Sequence, residues 1–163
     1  MIGPFSSIAS FGGGLASHSG SVAADVIAVA AGGAAGALVR WTLTIIAASM
    51  ASFDSAGGLP IAGPPLGTTV ANVLGCALMG WFVVLAGTDL AASDAWHHTP
   101  RVQLAIRVGM IGALTTFSTF VAESVAMGQS GRPGSLAVYV LANVVLGTAA
   151  FLIVQHWARS GAV

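Results

Sequence analysis

Charged residues are scarce in this chain of 163 residues, and none of them is a lysine. Five arginines balance five acidic residues, so the net charge is zero and charged residues make up 6% of the sequence. A soluble domain usually carries about a quarter charged residues to face water. Nucleic-acid binding needs a basic surface, which five scattered arginines do not form. The composition therefore excludes an ordinary soluble domain and a nucleic-acid partner.

Cysteine is almost absent as well. The single Cys76 excludes an internal disulfide framework and a cysteine-rich metal site, and we interpret it as a small packing residue. His97 and His98 are adjacent, but no third histidine or cysteine lies near them in the sequence. The pair therefore favours a solvated loop over a metal site.

Hydrophobic residues make up 56% of the chain and are gathered in long runs. The mean hydropathy is +0.91. A membrane-spanning helix needs about 20 mostly apolar residues to cross about 30 Å of hydrocarbon. Four runs reach that length and predict an all-α integral membrane protein with four transmembrane helices: residues 26–48, 66–86, 102–127 and 135–157.

The segments outside these runs are short. Residues 1–25 are rich in Gly, Ser and Ala and lack the basic start of a secretory signal, which predicts a flexible tail. Residues 26–158 are predicted to form one four-helix membrane domain that carries the function. The arginines favour cytoplasmic termini only slightly. This weak bias is compatible with insertion in both directions and pairing of opposed copies, and equally with an ordinary weakly biased protein.

Polar residues inside the spans are costly and usually face protein or water. Arg40, deep in the first span, indicates either snorkelling to the interface or a cationic mouth that attracts anions. Asn72, in the second span, indicates either an interhelical hydrogen bond or a donor to a passing anion. In the fourth span, Tyr139 and Asn143 share one face as a track of donors or as partners of neighbouring helices.

The third span is rich in residues that weaken a continuous helix. Two glycines precede Thr115, Thr116, Ser118 and Thr119, and hydroxyl and β-branched residues are poor helix formers. These residues predict a break at mid-membrane, where freed carbonyl oxygens could coordinate a monovalent cation. Hydroxyls that bond back to their own helix are the alternative.

Aromatic and acidic residues follow in the same span. Phe117 and Phe120 share one helix face, and their positive ring edges could stabilise a small anion, although packing or lipid contact is the commoner role. Glu123, one turn further on, indicates either an acid near water or the partner of an arginine.

Three segments carry a family resemblance. They are Gly32–Trp41 with Arg40, Gly67-Thr68 with Asn72 and Gly75, and Gly112–Phe120 followed by Glu123. On these residues the sequence resembles the Fluc (CrcB) family of fluoride channels over about residues 26–158. Cys76-Ala77 and Ala113 depart from the family's usual residues without removing a proposed donor.

The resemblance implies an antiparallel, dual-topology homodimer in the plasma membrane, with a broken third helix and two fluoride pores. It implies a structural Na⁺ held by the main-chain carbonyls of Gly112 and Thr115 from both subunits. It assigns positioning or electrostatic roles to Arg40, Glu123 and Thr116. The implied ion pathway consists of Asn72, Phe117, Ser118, Thr119, Phe120, Tyr139 and Asn143.

The mechanism implied by the resemblance is passive flow of fluoride out of the cytoplasm, with no covalent chemistry, so no enzyme activity is expected. A bare fluoride ion in hydrocarbon would cost tens of kcal/mol, and a pore must replace its water shell with weak contacts. The alternative is a proton-coupled exporter similar to small multidrug resistance transporters. That class needs a titratable carboxylate deep in a span, whereas Asp25 and Glu123 lie near span ends.

Overall fold

The structure is a computed structural model that describes residues 21–53, 64–87 and 99–161. Every regular element in these ranges is helical. Four helical stretches are long and apolar enough to cross a membrane, which confirms the prediction of an all-α, multi-pass membrane protein. The helices are α1 Val22–Phe53; α2 Pro64–Gly87; α3, formed by Pro100–Gln103, the π-helix Leu104–Ile111 and Gly112–Leu114; α4 Phe117–Gln129; and α5, formed by Pro133–Leu141, the π-helix Ala142–Leu146 and Gly147–Arg159.

Three of the helices begin at a proline, namely Pro64, Pro100 and Pro133. The sequence predicted each of these spans to begin two residues later. Proline fits the first turn because that turn's N–H groups have no intrahelical partner and the fixed φ already suits a helix. Both Pro64 and Pro65 therefore belong to α2.

Helix α1 begins inside the predicted tail, so residues 22–25 are helical. Asp25 lies in its first turn, where the helix dipole favours a carboxylate. Its Oδ1 accepts from Arg101 Nε at 3.1 Å, which links the starts of α1 and α3. The rest of the predicted tail, residues 1–20, and the pair His97-His98 lie outside the described residues.

Close backbone contact joins α1 to α3. A Cβ atom at Gly32 would overlap the carbonyl of Ala105, and one at Gly36 would overlap the carbonyl of Met110. Gly109 of α3 approaches Val29 O in the same way, since a Cβ there would lie 2.6 Å away. Only a hydrogen atom fits at Gly32 and Gly36, which lets the two helices come into close contact.

Helix α2 packs against both α1 and α5. A Cβ at Gly67 would lie 2.7 Å from Thr44 Cα of α1, and one at Gly80 would lie 2.5 Å from Phe151 O of α5. Many large apolar side chains remain exposed on the outer faces, as expected where lipid replaces water. The helix that carries Asn72 is thus fixed on two sides, which positions the site described below.

Candidate functional site

Two extended residues separate α3 from α4. Thr115 has φ −78° and ψ 148°, and Thr116 has φ −146° and ψ 113°. In a continuous α-helix the N–H of Thr116 would donate to the carbonyl of Gly112. Here it donates to Asn72 Oδ1 at 2.9 Å instead. The sequence of α2 therefore supplies the acceptor that the interrupted third span needs.

The side chain of Thr116 caps α4 and contacts the hydroxyl groups of Ser118 and Thr119. Thr116 is the N-cap of this helix, and its Oγ1 accepts from Thr119 N at 3.3 Å. The same hydroxyl donates to Thr119 Oγ1 at 3.0 Å and lies 3.4 Å from Ser118 Oγ. A hydroxyl at the N-cap satisfies one of the free N–H groups of a first turn. Ser118 and Thr119 thus lie beside the cap, between Phe117 and Phe120.

A pair of amides connects the interruption to α5. Asn72 Nδ2 donates to Asn143 Oδ1 at 2.8 Å, while Asn72 Oδ1 accepts from Thr116. The opposite amide orientation would place two donors against each other at Thr116, so the network itself fixes the orientation. Asn143 Nδ2 donates in turn to Thr69 Oγ1 at 3.0 Å and to Tyr139 O at 2.9 Å. Asn72 and Asn143 are both interhelical partners, one of the alternatives left open by the sequence.

Glu123 is bound by two hydroxyl groups from different helices. Thr68 Oγ1 donates to its Oε1 at 3.2 Å, and Tyr139 OH donates to its Oε2 at 2.5 Å. Tyr139 is fully buried and Thr68 is 2% exposed. The partners that the structure shows for this carboxylate are thus two hydroxyl groups, in place of the water or arginine suggested by the sequence. The carboxylate instead joins α4 to α2 and α5.

Aromatic rings continue this cluster toward the interruption. The ring centroids of Tyr139 and Phe120 are 5.3 Å apart, and those of Phe120 and Phe117 are 5.9 Å apart. Both pairs are tilted, by 37° and 39°, rather than stacked face to face. Phe117 is 77% exposed, so only its inner side contacts the protein. The rings form one line from the buried tyrosine to the surface.

A cavity of about 360 Å³ opens beside the interruption. Polar amide and hydroxyl groups form one part of its wall and aromatic rings form another. Its lining residues are Asn72, Cys76, Thr115, Thr116, Phe117, Phe120, Asn143 and Val144. The structure thus brings together four of the predicted pathway residues, Asn72, Phe117, Phe120 and Asn143. Tyr139, Ser118 and Thr119 lie next to this group rather than in its lining.

Arg40 lies on α1, one turn after Gly36, and is half-buried. Its Nε atom is buried and has no hydrogen-bond partner within the described residues. Gly36 contacts Met110 and Leu114 at the end of α3, so Arg40 follows the helix face that meets the interrupted span. A buried guanidinium nitrogen without a partner is costly.

Sequence reasoning missed several members of the site. Thr68 and Thr69 received no role, although they lie one turn before Asn72 on α2. This spacing was the available signal, because residues three and four apart share a helix face. Cys76 lines the cavity, and its Sγ lies close to Gly147 of α5, since a Cβ added there would be 3.3 Å away.

The sequence pattern of the family described as CrcB-like protein, Camphor Resistance (CrcB), matches residues 27–154. The chain belongs to the CrcB family. The prediction made from the three sequence segments is confirmed at this level.

Curated relatives of this CrcB protein bear the name fluoride-specific ion channel FluC. The protein of Rhodopirellula baltica is 36% identical over 147 residues, which cover 82% of this chain and 95% of that one. The protein of Saccharophagus degradans is 39% identical over 127 residues, with 78% and 84% covered. The protein of Roseiflexus sp. is 35% identical over 137 residues, with 83% and 97% covered. The relatives are named as ion channels and not as enzymes.

Proposed function

We propose that this protein is a fluoride channel that exports fluoride from the cytoplasm by passive electrodiffusion. The names of its relatives suggest the ion, and the cavity beside the interruption supports the chemistry. The observation that carries the proposal is the shared wall of amide donors and aromatic rings around that cavity. A narrow pathway of this kind replaces water around an anion with several individually weak contacts, which lets the ion leave again.

Several groups in or beside the cavity can contact an anion. The amide nitrogen of Asn72 carries two N–H groups, and one of them accounts for its bond to Asn143. The hydroxyl groups of Ser118 and Thr119 lie beside Thr116 in the first turn of α4. The ring edges of Phe117 and Phe120 carry partial positive charge. These contacts support a pathway that runs along the rings of Phe117 and Phe120 toward Tyr139 and Asn143.

Two carbonyl groups fit the structural Na⁺ that the family resemblance implies. The N–H groups that would bind Gly112 O and Thr115 O in a continuous helix are those of Thr116 and Thr119. Both are redirected, the first to Asn72 Oδ1 and the second to Thr116 Oγ1. Gly112 and Thr115 thereby present carbonyl oxygens, the donor type that suits a hard monovalent cation. A cation bound there would add a fixed positive potential near the pathway.

A second copy of the chain would complete the site. The cavity is open, and Phe117 at its rim is 77% exposed. We therefore propose that two copies pair in opposed orientations, as the weak arginine bias permits. Such a pair would bring the Gly112 and Thr115 carbonyls of both subunits to one cation. It would also place protein rather than lipid over Asn72 and Thr116, and it could supply a partner to Arg40.

The contacts of Glu123 disfavour the alternative of a proton-coupled exporter. Its carboxylate is bound by hydroxyl groups from Thr68 and Tyr139 within the helix bundle. A carrier of that class needs a carboxylate that exchanges protons with substrate from alternating sides. We therefore assign Glu123 the role of holding α2, α4 and α5 together beside the pathway.

Fluoride efflux from liposomes, followed with a fluoride-selective electrode, tests the proposal. The purified protein is expected to release fluoride in the presence of Na⁺ and to lose this activity when N-methylglucamine replaces Na⁺. Phe117→Ile is expected to abolish efflux because it removes the ring edge at the cavity rim. Trp157→Ile is the matched control, since it removes an exposed ring at the far end of α5. Equal flux in wild type and Phe117→Ile, or proton movement driven by substrate, would overturn the proposal.

A further inference from the structure

Gly75 of α2 faces the side chain of Thr115 across the interruption. A Cβ atom at Gly75 would overlap Thr115 Cγ2 and would lie 3.9 Å from Ile111 Cγ2. Gly75 is one turn after Asn72, whose Oδ1 binds the N–H of Thr116. Helix α2 therefore contacts the interruption twice, once at each of its two extended residues.

The orientation of the Thr115 side chain is fixed by a hydrogen bond. Thr115 Oγ1 donates to Ile111 O at 3.0 Å, and Thr115 N donates to the same carbonyl at 3.1 Å. Threonine has three staggered χ1 positions and a fixed chirality at Cβ. Any rotation that moves the methyl group away from Gly75 also moves the hydroxyl group away from Ile111. The absence of a side chain at Gly75 is therefore what permits both contacts together.

The same contacts orient the peptide group between Thr115 and Thr116. This peptide is trans, so its N–H and its C=O point in opposite directions. Its N–H points to Asn72 on α2. The Thr115 carbonyl consequently points away from α2, and the methyl contact with Gly75 limits rotation on the other side of the carbonyl.

We propose that Gly75 is a positioning residue for the cation site: the space it leaves for the Thr115 methyl group holds the Thr115 carbonyl in its binding orientation. This inference rests on the proposed function, because it takes that carbonyl as a ligand of Na⁺. Gly75→Ala displaces the Thr115 methyl group, breaks the bond to Ile111 O or shifts the backbone, and turns the carbonyl. Thr115→Ser removes the methyl group and retains the hydroxyl bond, so it compensates for the added Cβ.

The experiment measures Na⁺ binding through thermal unfolding of the purified protein in detergent, with N-methylglucamine as the replacement cation. A ligand that binds only the folded state raises the midpoint with its concentration. Gly75→Ala is expected to need about tenfold more Na⁺ for the same rise, equivalent to about 1.4 kcal/mol. The double variant Gly75→Ala/Thr115→Ser is expected to return close to the wild-type Na⁺ response. Liposome efflux as a function of Na⁺ should show the same pattern.

The outcomes separate this inference from the proposed function. Gly128→Ala is the matched control, because its Cβ would lie 3.8 Å from Leu136 Cδ2 in ordinary contact. If the midpoint of the wild-type protein does not respond to Na⁺, the proposed function loses its structural cation, and this inference fails with it. A wild-type response that Gly75→Ala leaves unchanged would overturn the inference alone. A weakened response that Thr115→Ser fails to restore would overturn it too, because the methyl contact would then not be the cause.

Discussion

Asn72→Asp tests the proposed pathway by exchanging one amide nitrogen for an oxygen. The wild-type Oδ1 accepts from Thr116 N at 2.9 Å, and aspartate retains this acceptor. The wild-type Nδ2 donates to Asn143 Oδ1 at 2.8 Å, and aspartate loses this donor. The interruption thus keeps its bond to α2, while the cavity loses an amide donor and gains a negative charge. Both changes are expected to oppose the passage of an anion.

The size of the effect follows from the dimensions of the cavity. A sphere of about 360 Å³ has a radius of about 4.4 Å, so an ion lies about 4 Å from a lining atom when it is at the centre and about 9 Å away when it is at the opposite wall. At about 6 Å and an effective dielectric constant of about 20, two like charges repel by about 3 kcal/mol. This free energy corresponds to an approximately hundredfold loss of ion occupancy. We expect fluoride efflux to fall by about that factor.

The assay is electrode-detected fluoride efflux from liposomes at equal protein density. Ser130→Asp is the matched control, because Ser130 is exposed after the end of α4 and receives the same charge outside the cavity. The control is expected to retain wild-type efflux. If Asn72→Asp conducts within about threefold of wild type, the added carboxylate does not repel the conducted ion and the cavity is not the fluoride pathway.

Three further predictions concern the bundle. Tyr139→Phe removes one of the two hydroxyl groups that donate to Glu123 and should lower the free energy of unfolding by about 1.5–3 kcal/mol. Thermal unfolding in detergent measures this change, and an unchanged midpoint would contradict the prediction. Gly36→Ala should prevent recovery of folded protein on size-exclusion chromatography, because its Cβ overlaps a carbonyl of α3, and wild-type yields would show that the helices can separate. Arg101→Gln, which breaks the partly exposed ion pair with Asp25, should change unfolding stability by at most about 1 kcal/mol, and a larger loss would indicate a more buried pair in the membrane.

The positions of the spans were predictable because hydropathy depends on composition over some 20 residues. The ends of the spans were less predictable. A proline can precede a helix or occupy its first turn, and the sequence alone did not show which applies to Pro64, Pro100 and Pro133. The two π-helical segments, Leu104–Ile111 and Ala142–Leu146, were not predicted either. A π-helix is defined by hydrogen bonds between residues five positions apart, which differ from the α-helical pattern. The residue types in these two segments do not distinguish the two patterns.

The candidate site shows the same division. The residue types in the site could be selected from the sequence, because an amide such as Asn72 is unusual within a membrane span. Their partners could not, since the bond between Asn72 and Asn143 joins residues 71 positions apart. Glu123 illustrates the difference, because its position near the end of the third span suggested water or an arginine as its partner. Its partners, Thr68 and Tyr139, come from two other helices. They are brought next to Glu123 by the packing of these helices, which the sequence alone does not specify.

The open side of the cavity connects the proposed pore to the proposed pairing of subunits. Asn72 and Thr116 are polar groups beside an opening, and a lipid tail there could not replace water as a hydrogen-bond partner. A single copy in a bilayer would therefore expose polar surface to hydrocarbon or admit water along an incomplete wall. Covering that side with protein removes this cost and closes the pathway in one step. The polar groups beside this opening thus favour both a pathway for an ion and a second subunit, and a strictly monomeric protein in the membrane would argue against both.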